Sequence, residues 1–133
     1  DLKSFAIYNF AMPFIIITTN VPKEKIPDDF IGSFVKEIAR IMEKPLTTIT
    51  VILHAGVYMF RLGCPEPAAS LVIRDVRKFD NKETNRNITD KIMKELLQHL
   101  DIVPQRVSAM LVAEDANTVG LAGGKLLSDV LKI

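Results

Sequence analysis

One pattern occurs twice in this chain and constrains its fold more than anything else. A stripe of apolar residues at helical spacing runs into a proline, and a β-branched strand follows. In the first copy Phe30, Phe34, Ile38 and Ile41, flanked by Val35 and Met42, make the stripe; Lys44-Pro45 stops it and Ile49 to His54 is the strand. In the second, Ile88, Ile92, Leu96 and Leu100, flanked by Met93 and Leu97, lead to Val103-Pro104 and then to Val107–Val112. Each helix has a strand before it as well, Pro13 to Thr19 and Ala69 to Val76. Two successive βαβ units result, the signature of an α/β (α+β) fold with a four-stranded mixed sheet and two helices on one face.

Local signals set the boundaries. Asn20-Val-Pro22 ends the first strand in a turn, and Pro27-Asp28-Asp29 opens the first helix with residues favoured at helix starts. Asp80-Asn-Lys-Glu83 reads as a capping box for the second helix. Gly56 to Pro67 is a loop or short-strand excursion. In the first strand Ile15, Ile16 and Ile17 are consecutive, and Val72 and Ile73 adjoin in the third, so both sheet faces carry apolar residues. Two helices cover one face of four strands, and a strand apolar on both faces needs cover on both. The missing cover is expected to be another copy of the chain.

Composition excludes several function classes. The 133 residues suffice for one domain with a real core, and 48% apolar with 25% charged residues is globular composition. A net charge of +1 gives no argument for nucleic acid or a membrane surface, and no run of about 20 apolar residues spans a bilayer. A single cysteine, Cys64, excludes an internal disulfide or a thiolate-based zinc site, and with only His54 and His99 no metal centre is expected. Residues 1–11 precede a Met-Pro pair that looks like a natural start. A secretory signal is weighed for this apolar stretch, but Pro13 to Thr19 reads better as a core strand, leaving an extension, native or introduced, ahead of a domain over 12–133.

Taken in order, Met12-Pro13-Phe14-Ile-Ile-Ile-Thr-Thr-Asn20-Val-Pro22, Ile26-Pro27-Asp28, Lys44-Pro45, Glu66-Pro67, Asn85-Arg86, Pro104-x-Arg106-Val107 and Val119-Gly120 make a specific set. Across residues 12–126 the chain resembles the family of macrophage migration inhibitory factor and D-dopachrome tautomerase. The resemblance implies a homotrimer of such subunits, with the tail from Gly120 along a neighbour; Leu126, Leu127, Val130 and Leu131 equally suit a short terminal helix. It also implies cofactor-free keto–enol tautomerisation of small aromatic keto acids such as phenylpyruvate. Pro13 matches the amino-terminal proline that serves as general base, Lys44 the lysine that binds the substrate carboxylate, and Val76 the position whose backbone amide helps hold substrate. A secondary amine becomes a base near neutrality when burial and a nearby cation favour its uncharged form.

Departures from the family pattern bear on that chemistry. Ser108 and Met110 stand where members commonly place a tyrosine and an asparagine that line the adjacent subunit's pocket, and Leu121 replaces an aromatic residue. A more aliphatic pocket with altered or reduced activity on aromatic keto acids is expected. Ala68 and Leu71 replace the Cys-x-x-Cys of some members, so no thiol-redox activity is inherited. While residues 1–12 remain attached, the Pro13 nitrogen is a tertiary amide without basicity; a chain beginning at Pro13 has the base.

Other signals are weaker. Gly120-Leu-Ala-Gly-Gly-Lys125 has the wrong spacing for a phosphate loop, Asn87-Ile-Thr89 is a sequon on a helix, and Arg74, Arg77 and Lys78 read as a solvated strand end. Two functions from different classes follow: an isomerase using Pro13 and Lys44, or a catalytically inactive cytokine-like protein that binds a cell-surface receptor. The resemblance is compatible with cytoplasmic and extracellular locations, the latter by leaderless secretion.

Overall fold

The structure, a computed structural model, describes residues 13–132. The extension assigned to residues 1–11, and Met12, lie outside the described residues. Strand β1 (Phe14–Thr19) leads through helix α1 (Phe30–Met42) to β2 (Thr50–His54); β3 (Ala69–Val76) leads through α2 (Lys82–His99) to β4 (Val107–Glu114). The strands form one sheet in the order β2-β1-β3-β4. Each βαβ unit pairs its own strands in parallel, β1 with β2 and β3 with β4, and the units join through the antiparallel β1–β3 pair. This is the expected mixed sheet of two βαβ units.

Both helices pack on one face. From α1, Phe30, Phe34, Ile38 and Met42 are buried; from α2, Ile88, Ile92 and Leu96 are buried. They meet Ile15, Ile17, Leu71 and Ile73, the alternate residues of the two central strands. Each of these large apolar side chains contributes about 2 kcal/mol by leaving water. Both helices end short of the prolines expected to stop them, α1 at Met42 ahead of Pro45 and α2 at His99 ahead of Pro104, which opens a 3-10 turn of its own. At the end of α1, Glu43 turns left-handed (φ 55°) and the amides of Glu43 and Lys44 fold back onto the Ala39 carbonyl, which places Lys44 just past the helix.

Two helix starts differ from expectation. Pro27-Asp28-Asp29 forms a turn before α1, closed by the Phe30 amide on the Pro27 carbonyl, and Asp29 makes no side-chain cap. At α2 the cap is Asn81, whose side chain accepts from the Thr84 amide at 3.0 Å. Asp80 lies one residue outside, and Glu83 pairs with Arg86 on the helix surface instead of closing a box. An Asn side chain caps as well as an Asp, so the register moves by one residue at little cost.

The opposite face of the sheet is apolar through its middle. Register places Ile52, Ile16, Val72 and Met110 in one row across all four strands. The first three are half-buried and Met110 is exposed. This is the face without helical cover.

After β4 the tail makes a two-residue hairpin, β5 (Gly120–Leu121) with β6 (Lys125–Leu126), and a short helix α3 (Leu127–Leu131). Gly123 and Gly124 (φ 85° and 72°) turn the hairpin, which is what the glycine run does here. The short terminal helix is one of the two forms expected of the tail, and Leu127 is its buried apolar residue. This residue packs on Val76 and Ala116 of its own chain, with Val119, Leu121 and Leu131 against them.

Candidate active site

Pro13 is buried and stands directly before β1. Its carbonyl accepts the Thr50 amide at 3.0 Å, the first bond of the β1–β2 ladder. Because Phe14 pairs with Arg74 in the antiparallel β1–β3 ladder, the residue opposite Pro13 is Asp75. The alternation Leu71, Ile73, Asp75 puts that aspartate on the helix-covered side of the sheet, and its side chain is 0% exposed.

Lys44 reaches the same point from the end of α1. Its Nζ lies 4.0 Å from Asp75 Oδ2, and its side chain is 14% exposed. Asp75 Oδ1 accepts the Val76 amide at 2.8 Å, whereas Oδ2 receives no hydrogen bond from the described residues. The pair is thus half-made: attraction without donation. Burial is the leading cause on each partner and opposes the charged form. It raises the Asp75 carboxyl above its ordinary value against the pull of Lys44, the Val76 amide and Lys78. It lowers the Lys44 ammonium, helped by Lys78 and Arg77 and opposed by Asp75. The basic cluster read from sequence therefore divides. Arg77 and Lys78 act electrostatically on Lys44, whereas Arg74 pairs with Glu114.

An apolar cleft of about 530 Å³ opens beside this group. Its wall includes Phe14 next to Pro13, Asp75 and Val76 at the end of β3, Arg74, and Val119 and Leu121 from the tail. Pro13 and Lys44 are not among its lining residues. The Val76 side chain is core, and its amide already donates to Asp75, so a ligand reaches that donor only by exchanging with the carboxylate.

Ser108 and Met110 lie elsewhere in the same chain. Ser108 pairs with Ser70, five residues along β3 from Asp75. That is about 17 Å at the usual strand rise. Its hydroxyl accepts from Arg61 Nη1 at 2.9 Å, and Met110 is exposed on the uncovered face. One chain therefore unites Pro13, Lys44 and Val76 around Asp75 and keeps Ser108 and Met110 apart from them. Among the described residues, no cluster of three or more His, Cys, Asp or Glu is arranged to hold a metal ion, and no helix is long and apolar enough to cross a membrane.

Asp75 is the residue that reading the sequence missed. Its signal was present: in a strand of period two it shares a side with Leu71 and Ile73, which makes it a carboxylate at a core position.

Comparison with known proteins bears on the whole domain. A family model described as macrophage migration inhibitory factor (MIF) matches residues 12–127. Rat macrophage migration inhibitory factor is 29% identical over 112 residues, covering 84% of this chain and 96% of that protein. Chicken D-dopachrome decarboxylase is 26% identical over 96 residues, covering 72% and 81%. Among solved structures, macrophage migration inhibitory factor from Oncomelania hupensis superposes with a TM-score of 0.79 at 20% identity, covering 90% of this chain and 86% of that one. The Trichinella spiralis protein gives 0.77 at 22% identity, covering 85% and 98%. These structures share the fold. With the family model spanning most of the sequence, the chain belongs to the macrophage migration inhibitory factor family.

Proposed function

We propose that this protein is a cofactor-free keto–enol tautomerase of the phenylpyruvate or dopachrome type, with Pro13 as general base when it is the free amino terminus. On this reading the uncharged Pro13 amine takes a proton from the carbon next to the substrate carbonyl and, as the ammonium, hands it back to the oxygen directly or through water, which restores the amine; the reverse transfers run from enol to ketone. Lys44 anchors the substrate carboxylate. The observation that carries the reading is the burial of Pro13 at the strand end opposite Asp75, with Lys44 Nζ 4.0 Å from that aspartate. A desolvated amine near a cation is what the chemistry needs. The likeness to D-dopachrome decarboxylases supports it.

The proposal includes a homotrimer. The uncovered row Ile52, Ile16, Val72 and Met110 needs cover, and a neighbouring copy supplies it. A neighbour would also bring Ser108 and Met110 toward the Pro13 pocket, from which they are separated within one chain. Sedimentation at micromolar concentration should show a trimer; monomer alone would overturn this part.

The second reading, a catalytically inactive cytokine-like protein acting on a cell-surface receptor, is favoured by Ser108, Met110 and Leu121 and by the residues that precede Pro13. Both readings suit a protein found in cytoplasm and released without a leader. Mass spectrometry of the protein isolated from its cells separates them. A species starting at Pro13 should tautomerise phenylpyruvate, with the rate falling at least a hundredfold in Pro13→Gly, the usual scale for a lost general base. A species starting at Asp1, or a Pro13→Gly variant as fast as the parent, would remove the base mechanism.

A further inference from the structure

The structure assigns Asp75 a role in choosing substrates: we propose that it is an internal counter-anion for Lys44 that sets the site against carboxylate-bearing ligands in favour of uncharged carbonyl compounds. The inference deepens the reading of Lys44 as anchor, and rests on it.

Three observations converge. Asp75 lines the cleft, whereas Lys44, whose ammonium it faces at 4.0 Å, does not. The Asp75 carboxylate is closed off from the cleft surface, so a carboxylate in the cleft feels its charge at short range without touching it. Second, the Asp75 side chain is wholly buried, with Oδ2 unpartnered by any hydrogen bond from the described residues. A buried carboxylate oxygen with a free lone pair favours a ligand that donates a hydrogen bond and disfavours a second acceptor. Third, Oδ1 holds the Val76 amide, the donor a ligand oxygen would otherwise use. One side chain thereby competes with an anion at both of its anchoring points.

The surrounding charges do not remove the competition. Lys78 and Arg77, in the turn after β3, act on Lys44, and Lys78 also acts on Asp75. On the cleft side Arg74 of β3 is occupied by Glu114 of β4. Asp75 is therefore the acid that meets Lys44 directly. Two like charges within a few ångströms in a partly dry site repel strongly, so the preference falls on ligand charge, not on ring size.

The test compares one carbonyl compound in two charge states, phenylpyruvate and its methyl ester, binding to the full chain and to Asp75→Asn. Binding at Lys44 does not require a free Pro13 nitrogen. Phenylpyruvate should bind about tenfold more tightly to Asp75→Asn, a difference one removed charge supplies readily, while the ester changes less than about twofold. Asp75→Ser, which keeps an oxygen for the Val76 amide, should show the same shift in preference if the asparagine variant folds poorly. A second readout is the Lys44 side-chain resonance followed by NMR. Removing Asp75 should move its protonation midpoint lower, because the partner that favours its charge is gone. An unchanged acid-to-ester preference overturns the inference and leaves Lys44 as anchor intact. An unmoved Lys44 midpoint overturns the pairing itself. If Lys44 responds but neither compound binds either protein, the inference falls together with the keto-acid reading.

Discussion

Two ends of the same sheet each bury a cation, and they treat it in opposite ways. Arg106, at the start of β4, is 7% exposed and meets no carboxylate. Its guanidinium donates to the carbonyls of Pro67, Arg61, Cys64 and Glu66 at 2.8–3.1 Å, tying the 61–67 loop to the sheet. Lys44, at the other end, has a buried carboxylate beside it yet meets it only at 4.0 Å, and the facing oxygen receives no hydrogen bond from the described residues. The guanidinium fork places four of its five donors on fixed dipoles. The ammonium sits in an incomplete pair. Arg106 is satisfied by dipoles without a counter-charge; Lys44 is left partly unsatisfied, as the proposed role in binding requires.

Arg106→Met should be the most damaging way to break this contrast. It strands four carbonyls at once, and about 4 kcal/mol should be lost in urea unfolding, with little dependence on pH between 5 and 8. Lys44→Met should cost about 3 kcal/mol at neutral pH, because it leaves the Asp75 charge buried without its cation. That loss should shrink as pH falls and Asp75 takes a proton. If both variants lose stability with the same pH profile, the two ends do not differ as described.

Asp75→Asn sharpens the comparison. Its carboxyl is raised above the ordinary value, so the folded chain holds that proton more tightly than the unfolded one. The stabilising contribution is present below the ordinary carboxylate range and is lost as pH rises through the folded value. Thermal melts of the asparagine variant against pH should lack this decline, with neutral stability within about 1 kcal/mol of the parent. The smallest effect belongs to Arg74→Gln. The pair with Glu114 leaves Arg74 45% exposed, and about 0.5 kcal/mol, fading with added salt, is what unfolding should show.

The elements were legible because they are written in short-range periodicity. Both helix stripes are buried where spacing placed them except at Ile41, which is half-buried while Met42 takes the core position, and Ala69 to Val76 is a strand over its whole expected length. Caps were less legible, since Asp80 and Asn81 are both good caps and only the packed helix chooses between them. The site was legible in part. Lys44 was marked by resemblance, yet its neighbour is 31 positions away, and nothing local in Arg74-Asp75-Val76 announces a partner across the chain. The carbonyl cage of Arg106 was invisible for the same reason: backbone carbonyls carry no residue identity. The place of Leu127 was not legible because the tail's apolar residues fit a neighbour or its own Val76 equally well, and composition does not choose between them.

The hydrogen bond from Thr50 to the Pro13 carbonyl has one more consequence. The sheet grips Pro13 by its oxygen. An acylated proline nitrogen carries no hydrogen to donate, so the ladder asks nothing of that atom whether or not a peptide is attached. Severing the Met12–Pro13 bond would then be a change of valence at one atom, with the β1–β2 ladder left as it stands. The ladder would read the two forms alike, and a probe of the amine itself would tell a latched chain from an open one.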